Sequence, residues 1–197
     1  MAEAGSAQES RRALRRQETV RRILDAAWRL SRERGLTAWT LRDLGAEVGM
    51  RAPSLYEYAA SKNALFDLMF ADGYRQLAER IDDTNRPDDA RELVRTAAYV
   101  FVQFAADDPP RFQLLFQHTA PGFAPSPESM ALARHALDEL AAVLSQAGIE
   151  DPAELDLWTA VLTGLASQQV SNDPGGDRWL RLVDVAVARL LPPATRD

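Results

Sequence analysis

Apolar residues recur at helical spacing along nearly the whole chain, and the places where the rhythm stops mark the elements. From about Gln17 to Arg34, Val20, Ile23, Leu24, Ala27 and Leu30 keep the i, i+3, i+4, i+7 spacing of one helix face, and Gly35 ends it. Leu36 and Trp39 form an apolar bridge, with Trp39 read as core. Thr40 is an N-cap residue ahead of Leu41, Leu44 and Val48, and Gly49 stands just past the last periodic position. Met50 follows as an apolar plug, and a second short helix restarts with Pro53 in its first turn and Leu55 inward. Ser61 then caps a helix carrying Leu65, Leu68, Met69, Tyr74, Leu77 and Ile81 to about Asp82.

After the breaker-rich TNRPD at 84–88, residues 90–106 are too apolar for a surface helix and predict a buried central one. A short helix over RFQLLFQH, the irregular TAPGFAPSP, and helices at about 127–147, 151–171 and 178–191 complete the chain. No segment alternates with period two for long enough to be a strand. The predicted class is all-α, about nine helices: a three-helix head with a helix-turn-helix, and a C-terminal helical bundle.

With 46% apolar residues among 197, there is ample material for a core. The absence of Cys excludes a disulfide framework, a thiolate zinc site and a cysteine nucleophile. No apolar run approaches the ~20 residues of a membrane helix, and residues 1–8 have no secretory pattern, so a cytoplasmic location is expected. The net charge of −6 argues against nucleic acid until its distribution is considered. Residues 1–62 carry 12 Lys and Arg against 8 Asp and Glu, whereas residues 63–197 carry 11 against 21. A basic front on an acidic body suits a DNA-reading head, because phosphate contacts are local; the plain alternative is a solvated helix face.

Residues 40–65, T-L-R-D-L-G-A-E-V-G-M-R-A-P-S-L-Y-E-Y followed by S-K-N-A-L, resemble the DNA-binding signature of the tetracycline-repressor (TetR) family. The match is strong over about 17–72. It departs at Ala59, where the family often has an aromatic, and at Arg51, where a Ser is common; the second alters the readout. The resemblance implies a sequence-specific transcriptional regulator, expected to be a ligand-released repressor that binds a palindromic operator as a dimer. It also implies that the helix after Ser61 transmits ligand binding to the head, and that Thr40, Tyr56, Tyr58 and Lys62 anchor phosphates. The expected organisation is a disordered basic arm (1–16), a helix-turn-helix domain (17–62) and a ligand-binding and dimerisation domain (63–197).

In major-groove geometry the leading end of the second helix enters first, so Arg51, Ala52, Pro53 and Ser54 are the base-edge candidates. Arg42 can fork onto guanine or onto a phosphate. Tyr56 either anchors phosphate or packs partly into the core, and the arm either reaches a groove or stays solvated. In the body, Phe104, Phe112, Phe116, His118 and Trp158 are the candidates for a small-molecule pocket taking an apolar or aromatic effector; ordinary core is the alternative. Leu157, Val161, Gly164, Leu165 and Gln168 form one stripe and Leu182, Val185, Ala186 and Arg189 another, giving an expected homodimer interface.

Catalytic signatures are missing: there is no nucleophile elbow, no metal-binding HExxH and no phosphate loop. His118 and His135 lack metal-ligand spacing, and Glu128, Asp138, Glu139 and Glu154 read as solvated acids. No cofactor or metal is expected. The rival to the regulator is an all-α small-molecule-binding protein or enzyme whose basic head is incidental.

Overall fold

Helix boundaries in the computed structural model fall largely where capping chemistry puts them. The structure describes residues 2–191; Met1 and residues 192–197, the outer ends of the expected arm and body, lie outside the described residues, as do the side chains of 2–7, 9 and 10. Among the described residues there are nine helices: α1 (Ala2–Arg34), α2 (Leu41–Val48), α3 (Ala52–Tyr56), α4 (Lys62–Asp82), α5 (Ala90–Asp107), α6 (Pro109–Phe116), α7 (Pro127–Gln146), α8 (Pro152–Asn172) and α9 (Leu182–Leu190). Thr40, Ser61, Asp89, Asp108, Ser126 and Asp151 each accept from an amide of the first turn they precede. Pro stands in the first turn of α3, α6, α7 and α8, where its missing N–H is harmless. Gly49 closes α2 with φ of 67°, a left-handed conformation that spares a Cβ clash only in glycine.

Two boundaries differ from expectation. The residues read as a disordered arm belong to α1, because 2–17 is filled with the strong helix formers Ala, Glu, Gln and Arg and contains no Pro. At the other end, α9 begins at Leu182 and not near Arg178. The cause is Gln169, buried on α8, whose Oε1 accepts from the amides of Trp179 and Leu180 at 2.9 and 3.1 Å. Its Nε2 donates to the carbonyls of Asp173 and Gly176, and Asp173 Oδ2 accepts from the Arg178 amide at 2.9 Å, so two side chains hold the turn.

The core crosses the expected head–body boundary at residue 62. Trp28, Leu30, Trp39, Leu55, Leu65, Phe66, Met69 and Phe70 form one buried cluster with Phe104, Leu114, Leu115 and Ala120 of the body. At Gly73, the Cδ1 of Leu115 lies 2.7 Å from where a Cβ would be, so glycine lets α6 approach α4 closely. A second cluster, built on Val94, Val102, Val143, Leu144, Trp158, Leu162, Val183 and Val187, joins α5, α7, α8 and α9. No helix among the described residues is long and apolar enough to cross a membrane.

Candidate nucleic-acid interface

The helix α2 that leads into the turn is fixed at both ends by local chemistry, Thr40 before it and Gly49 after it. Thr40 Oγ1 accepts from the Asp43 amide at 3.2 Å, while the Thr40 amide donates to Asp43 Oδ2 at 2.8 Å, forming a reciprocal capping box. The Thr40 hydroxyl also donates to that carboxylate at 2.6 Å. Hydrogen bonding from Thr40, first by its side chain and then by its amide, holds the Asp43 carboxyl below its ordinary value, with Arg34 and Arg42 adding attraction. The stabilisation that this lowering represents is present above the unfolded-state value and is lost as pH falls through the lowered one.

Leu44 and Leu55 are the buried anchors of the two short helices, and Gly45 sits against Met50 O, 3.0 Å from a built Cβ. With Leu55 turned inward, Arg51, Ala52, Pro53, Ser54 and Tyr56 are all exposed, Tyr56 by 51%, so the ring does not pack into the core. Thr40 and Arg42 are exposed as well, and Tyr58 is half-buried with the Arg16 guanidinium over its ring at 4.9 Å. Trp39 is buried, edge-on to Phe66 at 6.3 Å, with Nε1 donating to Ser31 Oγ at 3.1 Å. The small Ala59 is itself buried in this core.

Lys62 has a further role that the motif does not announce. Its Nζ donates to the carbonyls of Thr37, at 2.8 Å, and of Trp39, and lies over the Trp39 ring at 4.6 Å. Desolvation pulls its ionisation below the ordinary lysine value, opposed by Asp43. Lys62 therefore ties the start of α4 to the loop preceding α2, and one of its three N–H groups remains for an outside acceptor. Two further residues that pattern reading passed over brace the motif from α1: Arg22 Nη2 donates to Val48 O at 3.3 Å, and Arg29 pairs with Glu47 at 2.9 Å. Their i, i+7 spacing was the available signal.

The body holds a cavity of about 490 Å³ between α4, α5, α6, α7 and α8. Its walls include Tyr74, Phe101, Phe116, Leu132, Ala136 and Leu162, with Arg75, Arg86 and His135 among the polar lining. Of the expected pocket residues, Phe116 lines it. Phe104, Phe112 and Trp158 are instead buried core side chains outside its lining, and His118 is exposed on the turn after α6 with φ of 49°. Burial pushes the Tyr74 hydroxyl up to about 12. No group of three or more His, Asp or Glu able to hold a metal occurs among the described residues.

On α8 and α9, Leu157 is 48%, Val185 50% and Leu182 37% exposed, and Gly164, Gln168 and Arg189 are exposed beside them. Val161, Leu165 and Ala186 are half-buried at the edge of the same surface. A Cβ built on Gly164 meets nothing within 4 Å.

Residues 23–69 match the family model described as bacterial regulatory proteins, tetR family. An HTH-type transcriptional regulator of Mycobacterium tuberculosis (strain H37Rv) is 26% identical over 119 residues, 59% of this chain and 51% of the relative. The chain thus spans about half the length of the curated relatives it matches. Among solved structures, a protein of unknown function from Rhodococcus sp. RHA1 superposes with a TM-score of 0.75 at 18% identity, covering 87% of this chain and 93% of that one. The TetR transcriptional regulator SCO0520 of Streptomyces coelicolor does so with a TM-score of 0.59 at 25% identity, covering 89% and 99%. The FadR regulator of fatty acid degradation from Bacillus halodurans gives 0.70 at 16% identity over 90% and 97%. The capped helix-turn-helix and the family model lying over it make residues 23–69 similar to the DNA-binding part of the tetR family of bacterial regulatory proteins, on an all-helical frame shared with these solved structures.

Proposed function

We propose that this chain is a sequence-specific DNA-binding transcriptional regulator, a repressor that binds a palindromic operator as a homodimer and is released by a small apolar or aromatic molecule. The observation that carries the reading is the exposure, around one braced turn, of Thr40, Arg42, Arg51, Ala52, Pro53, Ser54 and Tyr56, while Leu44 and Leu55 hold the turn from behind. In this assignment Arg51 to Ser54 meet base edges, Arg42 meets a guanine or a phosphate, and Thr40, Tyr56, Tyr58 and Lys62 meet phosphates. Lys and Arg outnumber Asp and Glu only in the front third, which supports placing the contact there. The exposed apolar positions of α8 and α9 support a two-fold dimer that sets two α3 helices ~34–36 Å apart, one helical turn of duplex. Retention of genomic fragments on the pure protein, followed by sequencing, tests the reading; no retention of any duplex overturns it.

Arg51→Ala and Lys62→Ala separate reading from anchoring. Arg51→Ala should relax preference at particular base pairs, at about 1–3 kcal/mol if the guanidinium forks onto guanine. Lys62→Ala should weaken all sequences alike and reduce the slope of log K against log salt by about one. It should also lower thermal stability, because two loop carbonyls lose their donor. Selection from random duplex with each variant reads the difference, and a wild-type motif recovered with Arg51→Ala would remove that residue from base readout.

The cavity supports the switch. Its volume of about 490 Å³ lies within the ~300–1,000 Å³ of small-molecule sites. Tyr74 and Leu77 of α4 line it, and α4 begins at Lys62, which grips the loop before α2. A coupling of ~1–3 kcal/mol would change operator affinity about 5- to 150-fold, and operator DNA must weaken effector binding by the same factor. Calorimetric titration of an effector with and without operator measures both; equal dissociation constants would uncouple the cavity from the head.

A further inference from the structure

We propose that the arginine row at the start of α1 is a second DNA-contact surface, seated on the phosphates flanking the base pairs that α3 reads; the inference rests on the DNA-binding reading above and extends it. At 3.6 residues per turn, Arg11, Arg15, Arg22 and Arg29 fall within about 40° of one line along α1. The later half of this line is fastened to α2, through Arg22 to Val48 O at 3.3 Å and Arg29 to Glu47 at 2.9 Å. Arg12 and Arg16 occupy the adjoining strip, and Arg16 lies over the Tyr58 ring at 4.9 Å. The arc of α1 that carries these six arginines is therefore the arc facing the helix-turn-helix, whereas Arg32 lies on the other side, paired with Asp108. The end of α2 borders it on one side, and Tyr58, just past α3, borders it on the other.

Core packing does not account for the first part of the row. Every residue from 11 to 18 is exposed, Leu14 by 56%, and Val20 is the first of the described side chains of α1 that packs against the apolar cluster. Within 11–18 there are four arginines and one acid, Glu18. The positive charge is thus local to 11–16, in a helix that also carries Glu3 and Glu9 ahead of it and in a chain whose net charge is −6. From Arg11 to Arg16 the rise along the axis is ~7.5 Å. A DNA strand presents a phosphate every ~3.4 Å, so the row spans two or three phosphates of one strand. The row offers guanidinium groups on long side chains, with Gln8 beside Arg11, Arg12 and Arg15. Seated on phosphates, they neutralise backbone charge and add no base preference.

The test uses the full chain with Arg11→Gln, Arg12→Gln and Arg15→Gln combined. Glutamine keeps helix propensity close to that of arginine, and Arg16 is left on Tyr58. The probe is a duplex selected from a random pool by the wild-type chain, prepared with about one helical turn of flank on each side and again trimmed to the selected motif. On the long duplex the variant should recover the same motif with a salt slope smaller by up to ~2.7, equivalent to up to ~500-fold weaker binding at 0.1 M salt referred to 1 M. On the trimmed duplex the two proteins should bind nearly alike. An unchanged slope on the long duplex overturns the proposal, as does a deficit that trimming leaves intact. A wild-type chain that selects no duplex overturns the DNA-binding reading itself, a separate result.

Discussion

Trp28→Ala is expected to destabilise the fold by about 3–5 kcal/mol, the range for a large aromatic removed from a packed core. Trp28 is 1% exposed and belongs to the cluster shared by head and body. Its Nε1 donates to Asp72 Oδ2 on α4 at 2.8 Å, and the Arg111 guanidinium of α6 lies over its face at 4.7 Å. Alanine therefore leaves a cavity at the junction of three helices, takes one donor from Asp72, which Gln76 also serves at 2.7 Å, and uncovers a largely buried cation. Urea unfolding followed by far-UV circular dichroism measures the loss. Because the cluster is continuous, the variant should still unfold in one transition at a lower midpoint. A separate early transition of the head would show that the core does not join the two parts, and a loss below about 1 kcal/mol would contradict the packing.

What the sequence made legible was mainly local. Thr40, Gly49, Pro53 and Ser61 act within four residues of themselves, so the helix-turn-helix and the start of α4 could be placed from side-chain chemistry alone. Interactions across long separations could not. The span from Arg178 to Arg181 has a good helical pattern, yet Gln169, ten residues upstream of Trp179, takes the amides of Trp179 and Leu180, and Asp173 takes that of Arg178. Polarity suggested disorder for residues 1–16, of which 2–16 are helical by propensity, with no packing needed to keep the pattern. In the body, aromatic content pointed to Phe104, Phe112 and Trp158, but a ring's size does not say whether its face of the helix meets a void or a neighbour. The void is lined largely by aliphatic and small residues such as Leu132, Ala133, Ala136 and Leu140 of α7, whose spacing is that of any core stripe. Lys62 was half legible: its place in the motif marked it for phosphate, while its grip on the Thr37 and Trp39 carbonyls appears only in three dimensions.

Asp108→Ala is expected to cost a comparable ~3–5 kcal/mol, as removal of one member of a buried ion pair does. Asp108 is 4% exposed and has three tasks. It caps α6 by accepting from the Arg111 amide at 3.3 Å, pairs with Arg32 of α1 at 2.7 Å, and faces Arg111 Nη2 at 3.3 Å. Arg111 is the sensitive partner. Its side chain is 13% exposed and its Nε is buried without a hydrogen-bond partner. Desolvation draws its ionisation below the ordinary arginine value, while Asp108 and then Asp72 oppose that shift. Arg32 is 45% exposed, so its share of the loss should stay within the ~0–1 kcal/mol of a solvated pair. Asp108→Asn keeps the cap and loses the charge, and should recover the ~0.5–2 kcal/mol that capping supplies. The decisive comparison is Asp108→Ala with Arg111→Met, since replacing both members of a buried pair by apolar groups is often close to neutral. If chemical denaturation finds the double variant markedly more stable than Asp108→Ala, the stranded guanidinium is the source of the loss. A double variant as unstable as the sum of the two single ones would instead assign it to the α6 cap and to the contact between α1 and α6.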